Sequence, residues 1–120
     1  MARPLFTETA PIFRSFDEAK ARAFYISWLG FEVTFEHRFA PDAPLYMGIR
    51  RGDLVLHLSE HHGDATPSST AFVRMQGIRD FHNELIGRSY ANNCPDVDHM
   101  PWGFQFEVID PFGNRIRFNE

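Results

Sequence analysis

A chain of 120 residues, 43% hydrophobic and carrying 13 phenylalanines, has enough apolar side chain for one core and too little length for two large domains. Its net charge is −4, and its 12 Lys and Arg are scattered without a basic run, which excludes an ordinary nucleic-acid surface and leaves room for a cationic partner if the acids converge. No apolar run reaches a membrane span, and "MARPLFTETAP" lacks the parts of a secretory signal, so a cytoplasmic protein is expected. The single cysteine, Cys94, excludes an internal disulfide framework and reads as an inert thiol in a reducing compartment.

In chain order, "APIFRSF" (residues 10–16) predicts a short strand. Ser15 and Glu18 then have the S-x-x-E spacing of a capping box, which predicts a helix from residue 16 to 29 ended by Gly30. Its apolar positions Phe16, Ala19, Ala23, Phe24 and Ile26 recur at helical spacing, and Trp28 reads as packing. "FEVTFEH" alternates as a strand, and "LYMGIRR" and "LVLHLSE" form a hairpin around the two-residue turn Gly52 and Asp53. After the loop "HHGDATPSS" the order recurs: "TAFVRM" as strand, "IRDFHNELIGR" as helix, an irregular "SYANNCPDVDHMP" holding a weak strand, then a terminal hairpin.

In that hairpin Phe104, Phe106 and Val108 share one face, and Gln105, Glu107 and Ile109 the other. Asp110, Pro111, Gly113 and Asn114 supply the turn, and Ile116 and Phe118 then alternate with Arg115, Arg117 and Asn119. The polar face looks into water or lines a pocket. Two halves with the same element order point to internal duplication, so the expected fold is α+β: two βαβββ modules, about 10–60 and 69–120, forming a cupped mixed sheet within one domain.

The FY…LGF sequence of "APIFRSFDEAKARAFYISWLGFEV", together with "PWGFQFEV" and "DPFGNRIRF", resembles the glyoxalase/bleomycin resistance superfamily, also called vicinal oxygen chelate proteins, over nearly the whole chain. Through "APIF", "FEHRFAPDAP", "TPSSTAFVRM" and "PWG" it is most similar to the bleomycin resistance proteins. The resemblance implies a cleft lined by Glu107, Arg117 and His57. It also implies a divalent metal in the superfamily's enzymes, at positions that fall near Ala10, His57, Thr70 and Arg117. Of these only His57 is a plausible ligand, since alanine cannot coordinate, a threonine hydroxyl is a poor neutral donor and a guanidinium is cationic. No metal or other cofactor and no catalytic residue is therefore expected.

Trp102 either stacks on a planar ligand or plugs the end of the cup, while Phe39, on an irregular segment, reads as a binding contact. The acids Glu36, Asp42, Glu60 and Asp64 rim the cleft in the implied fold, where they attract a cationic drug tail or simply face water. His61 and His62 are adjacent on a loop and point apart, which argues against a metal cluster with His57, and His37, His82 and His99 have no partner evident in the sequence. No Ser-His-Asp order, phosphate loop or dinucleotide fingerprint occurs. The reading is a protein that sequesters a bleomycin-like antibiotic as a homodimer with a swapped N-terminal strand, without contact to nucleic acid or membrane. The alternatives are a metal-dependent enzyme of the same superfamily and a binder of another aromatic metabolite.

Overall fold

Asp17, an extended residue whose Oδ1 accepts a hydrogen bond from the Lys20 N–H at 3.0 Å, caps the first helix. The computed structural model describes residues 3–90, 93 and 95–120, so the expectation for Cys94 lies outside the described residues. The predicted capping box does not form. Ser15 is buried with its N–H bonded to the Ser59 carbonyl at 2.8 Å, and Glu18 turns outward to Arg22 and Arg38. Helix α1 (Glu18–Arg22) runs directly into a π-helical segment (Ala23–Trp28), closed by a bond from the Leu29 N–H to the Phe24 carbonyl at 2.9 Å.

The buried stripe of this helix is Ala21, Phe24, Tyr25, Trp28 and Leu29, whereas Phe16 is 56% exposed and Ala19 is also exposed. The expected face is thus corrected: turning Tyr25, Trp28 and Leu29 inward removes far more apolar area from water than burying two alanines would. Trp28 packs as expected, stacked on Tyr90 with ring centroids 5.5 Å apart.

The strands are β1 (Ile12–Arg14), β2 (Glu32–His37), β3 (Tyr46–Arg51), β4 (Leu54–Ser59), β5 (Thr70–Arg74), β6 (Asp98–Met100), β7 (Gly103–Ile109) and β8 (Arg115–Asn119), with helix α2 (Ile78–Gly87) after β5. They form two four-stranded mixed sheets, ordered β1-β4-β3-β2 and β5-β8-β7-β6. In each the module's first strand lies parallel to its fourth and every other pair is antiparallel. These are the two βαβββ modules read from the sequence.

The first and fourth strands of the modules repeat residue by residue. Adding 60 to Ile12, His57, Arg14 and Ser59 gives Phe72, Arg117, Arg74 and Asn119, and the pairs Ile12–His57 and Arg14–Ser59 recur as Phe72–Arg117 and Arg74–Asn119. The weak strand in the irregular stretch is β6, joined to β7 by a turn at residues 101 and 102. Gly103 follows at φ 126°, where a Cβ would overlap the Glu120 carbonyl oxygen, so only glycine fits.

One core spans both modules, drawing Phe13, Leu56 and Leu58 from the first sheet and Ala71, Phe106 and Phe118 from the second. A buried polar clamp crosses between them. Asp110 Oδ2 accepts from the Tyr25 hydroxyl at 2.7 Å and from Asn114 Nδ2 at 2.8 Å, while Oδ1 accepts the N–H groups of Phe112 and Asn114, each at 2.8 Å. Asn114 Nδ2 also donates to the Arg14 carbonyl at 2.8 Å. The D-P-x-G-N turn is therefore a joint between modules as well as a hairpin end. Burial raises the Asp110 pKa against these hydrogen bonds, and burial followed by the Asp110 charge raises that of Tyr25.

Candidate functional site

Each sheet packs one face on the core and leaves the other open. On the first sheet the register lines up Ile12, His57, Gly48 and Phe35 across the four strands, with Arg14, Ser59, Tyr46 and His37 as the next row. Leu56, Leu58, Met47 and Ile49 occupy the buried side. The register shifts between Val33 and Phe35, so that Val33 pairs with the buried Ile49 and Phe35 with Gly48 on the open face. Strict alternation keeps Val33 and Phe35 together, which is why the sequence hid Phe35. The signal was Gly48: a Cβ there would overlap the Phe35 ring, so glycine leaves the slot in which that ring lies across the sheet.

Phe35 stacks on Tyr46 at 6.1 Å between centroids and meets the His57 ring edge-on at 5.3 Å. The Tyr46 hydroxyl and His57 Nδ1 share a hydrogen bond of 2.7 Å. Burial, and then the charge of Asp64, raise the Tyr46 pKa, so the phenol keeps its proton at neutral pH. Phe39, 80% exposed, lies edge-on to His37 at 4.5 Å and to His61 at 5.8 Å. The result is a cluster of aromatic rings on the open part of the sheet face, beside the buried Arg14 and Ser59, suited to a flat apolar group.

The open face of the second sheet is charged instead. Phe72, Arg117 and Glu107 form one row, with Thr70, Arg115 and Ile109 on one side of it and Arg74, Asn119 and Gln105 on the other. Glu107 accepts from Arg115 Nη1 and from Arg117 Nε, both at 2.9 Å. Partial burial acts to raise the Glu107 pKa, but these bonds outweigh it and hold the carboxyl below its ordinary value. Trp102 is 51% exposed on the β6–β7 turn and donates its indole N–H to Gln105 Oε1 at 2.8 Å, which ties the ring to this open face. It does not plug a core.

The expected rim acids separate. Glu36 pairs with the core-side Met47 position and is held by Arg22 of α1, away from the aromatic platform. Glu60 accepts the Leu45 N–H at 2.9 Å and pins a loop. Asp64 accepts from the Ser59 hydroxyl at 2.5 Å beside the platform, and Asp42 is exposed on the β2–β3 loop. His82 and His99 do have partners: His82 Nε2 lies 2.6 Å from the Pro95 carbonyl oxygen, and His99 stacks on Phe104 at 4.7 Å.

The positions implied for a metal do not make a ligand set. His57 stands opposite Ile12 and Arg117 opposite Phe72, and Ala10 and Thr70, each two residues earlier in sequence, add no anionic donor. Among the described residues no group of three or more His, Cys, Asp or Glu is placed to hold an ion. A cavity of about 840 Å³ opens between the modules instead, bordered by Thr9, Pro11, Val55, Phe72, Arg74 and Phe81. No described helix is long and apolar enough to cross a membrane.

This architecture has known counterparts. A family model described as glyoxalase superfamily protein matches residues 1–120, and the chain belongs to that superfamily. A bleomycin-binding protein from bleomycin-producing Streptomyces verticillus, solved with copper(II)-bleomycin, superposes with a TM-score of 0.74 at 28% identity, covering 98% of each chain. The bleomycin resistance determinant encoded on the transposon Tn5 gives 0.71 at 22% identity over 96% of this chain and 98% of its own. An antibiotic binding protein from Streptomyces sp. CB03234 gives 0.67 at 22% over 97% and 98%. No functionally curated protein matches the sequence.

Proposed function

We propose that the protein binds and sequesters a bleomycin-like antibiotic in the cytoplasm, as a homodimer and without chemistry. The observation that carries this reading is the Phe35, Tyr46 and His57 platform, preformed on an open sheet face in a fold shared with a bleomycin-binding protein at 28% identity. A planar bithiazole would stack on these rings and on Trp102 and Phe39, and Asp64 and Asp42 would attract a cationic tail. Sequestration requires affinity and stoichiometry rather than turnover, which suits a face with no ligand set for a metal.

The N-terminal arm supports the dimer. Leu5 is 84% and Phe6 94% exposed, and the arm meets the cavity between the modules at Thr9 and Pro11. Two apolar side chains so exposed gain most by entering a partner's groove, and strand exchange would also cover the β1 edge. Calorimetric titration with metal-free and copper-loaded bleomycin, beside light scattering, tests both parts. Two drug molecules per dimer are expected, with Phe35→Ala and Trp102→Ala each weakening binding by about 1–3 kcal/mol, as for other stacked rings. Failure of both metal-free and copper-loaded bleomycin to bind wild type at tens of micromolar would refute the drug reading. A monomer at micromolar concentration would refute the assembly.

A further inference from the structure

The open face of the second sheet presents three guanidinium groups, Arg74, Arg115 and Arg117, and one carboxylate, Glu107, on three adjacent strands. We propose that this face is a binding site for the acidic group of a planar aromatic acid, a carboxylate or sulfonate. The inference rests on the reading that the open faces line the cleft, but it specifies a chemistry that a purely cationic drug does not supply.

Glu107 neutralises only part of this charge. It engages one nitrogen of each partner, Nη1 of Arg115 and Nε of Arg117. Among the described residues the remaining N–H groups of these two side chains make no hydrogen bond to protein, and the side chains are 45% and 48% exposed. The carboxylate thus orients two guanidinium groups and leaves their other donors directed elsewhere, the geometry in which arginine takes an oxyanion with two parallel bonds. Arg74 adds a third cation, over the Phe72 ring at 5.4 Å with Nη1 on Asn119 Oδ1 at 3.2 Å.

Aromatic surface lies next to the charge. Phe72, 49% exposed, is the cross-strand neighbour of Arg117 and also borders the cavity of about 840 Å³. A ring resting against Phe72 would bring its acidic substituent over the Arg115 and Arg117 pair. The first sheet has nothing comparable, since the counterparts of Arg115 and Arg117 sixty residues earlier are Val55 and His57.

The experiment compares 1-naphthoate with the neutral, nearly isosteric 1-naphthamide by calorimetric titration, alongside the bleomycin titration. Naphthoate is expected to bind wild type about tenfold more tightly, the gain of charge-assisted over neutral hydrogen bonds, with the ratio shrinking as salt rises. Arg117→Gln should abolish most of that preference, and Glu107→Gln, which removes the competing carboxylate, should enlarge it. In wild type, naphthoate should also shift the Nε–H resonances of Arg115 and Arg117 in a 15N correlation spectrum, a readout that needs no variant. Equal affinity for the two probes, or a preference unchanged in Arg117→Gln, would overturn the proposal. If bleomycin binds and naphthoate shows no preference, the acid site alone is refuted; if naphthoate binds as expected and bleomycin does not, only the drug reading falls.

Discussion

The two sheets share one plan, yet their buried and open faces have had different histories. On the core side, residues sixty apart are chemically alike: Phe13 and Val73, Leu56 and Ile116, Leu58 and Phe118 are all apolar. On the open side the same offset turns Ile12 into Phe72, His57 into Arg117 and Val55 into Arg115, and in the neighbouring strand, where the register differs by one, Gly48 corresponds to Glu107 and Tyr46 to Gln105. Packing constrains the buried face, because a lost methylene leaves a cavity. The open face carries no such constraint, so one half could become an aromatic platform and the other a guanidinium ladder. Among these matched positions the chemical difference is confined to the open faces, the surfaces to which the proposed ligand binding is assigned.

The sharpest way to break this comparison is to truncate matched positions. Leu58→Ala and Phe118→Ala should each destabilise the fold by about 3–5 kcal/mol, whereas Arg117→Ala should stay within about 0.5 kcal/mol, measured by urea unfolding. A large loss in Arg117→Ala would mean that the second open face is structural.

Next in size is the joint between the halves. In Asp110→Asn an amide NH₂ replaces an oxygen that accepts from both Tyr25 and Asn114, so a loss of about 2–4 kcal/mol is expected, with the two modules still melting together. If the variant is as stable as wild type, the clamp does not hold the modules.

Gly48→Ala contrasts with its counterpart Glu107→Ala. The first forces the Phe35 ring out of its slot, at about 1–3 kcal/mol and with perturbed aromatic resonances, while the second removes a partly exposed carboxylate from two exposed arginines. Comparable costs would show that Gly48 does not position Phe35.

The smallest effect is electrostatic. Hydrogen bonds from Arg51, and beyond the opposing effect of burial those from Arg88, lower the Glu84 pKa from 4.5 to about 2. A depressed carboxyl contributes stability that is present above about pH 4.5 and disappears as pH falls toward 2. Glu84→Gln should therefore cost up to about 1 kcal/mol at neutral pH, in keeping with a partly exposed ion pair, and nothing at pH 2. An equal deficit at both pH values would assign the loss to packing.

What the sequence by itself determined was the repeated βαβββ order, the Gly52–Asp53 hairpin, the terminal hairpin and the superfamily, because alternation, turn residues and D-P-x-G-N are local signals that a short window contains. The facing of Glu107 and Arg117 was legible for the same reason. Tertiary structure alone decided the rest of the site. A single extra residue in β2 moved Phe35 to the open face, and Glu36 went to Arg22 because that arginine, fourteen residues earlier in the chain, ends beside it. The joint of Asp110 with Tyr25 spans 85 residues of sequence and pairs two groups that look unrelated until the modules pack. Local patterns fix which face a regular strand presents, but a bulge or a partner brought in from elsewhere in the fold changes the answer without altering any local pattern.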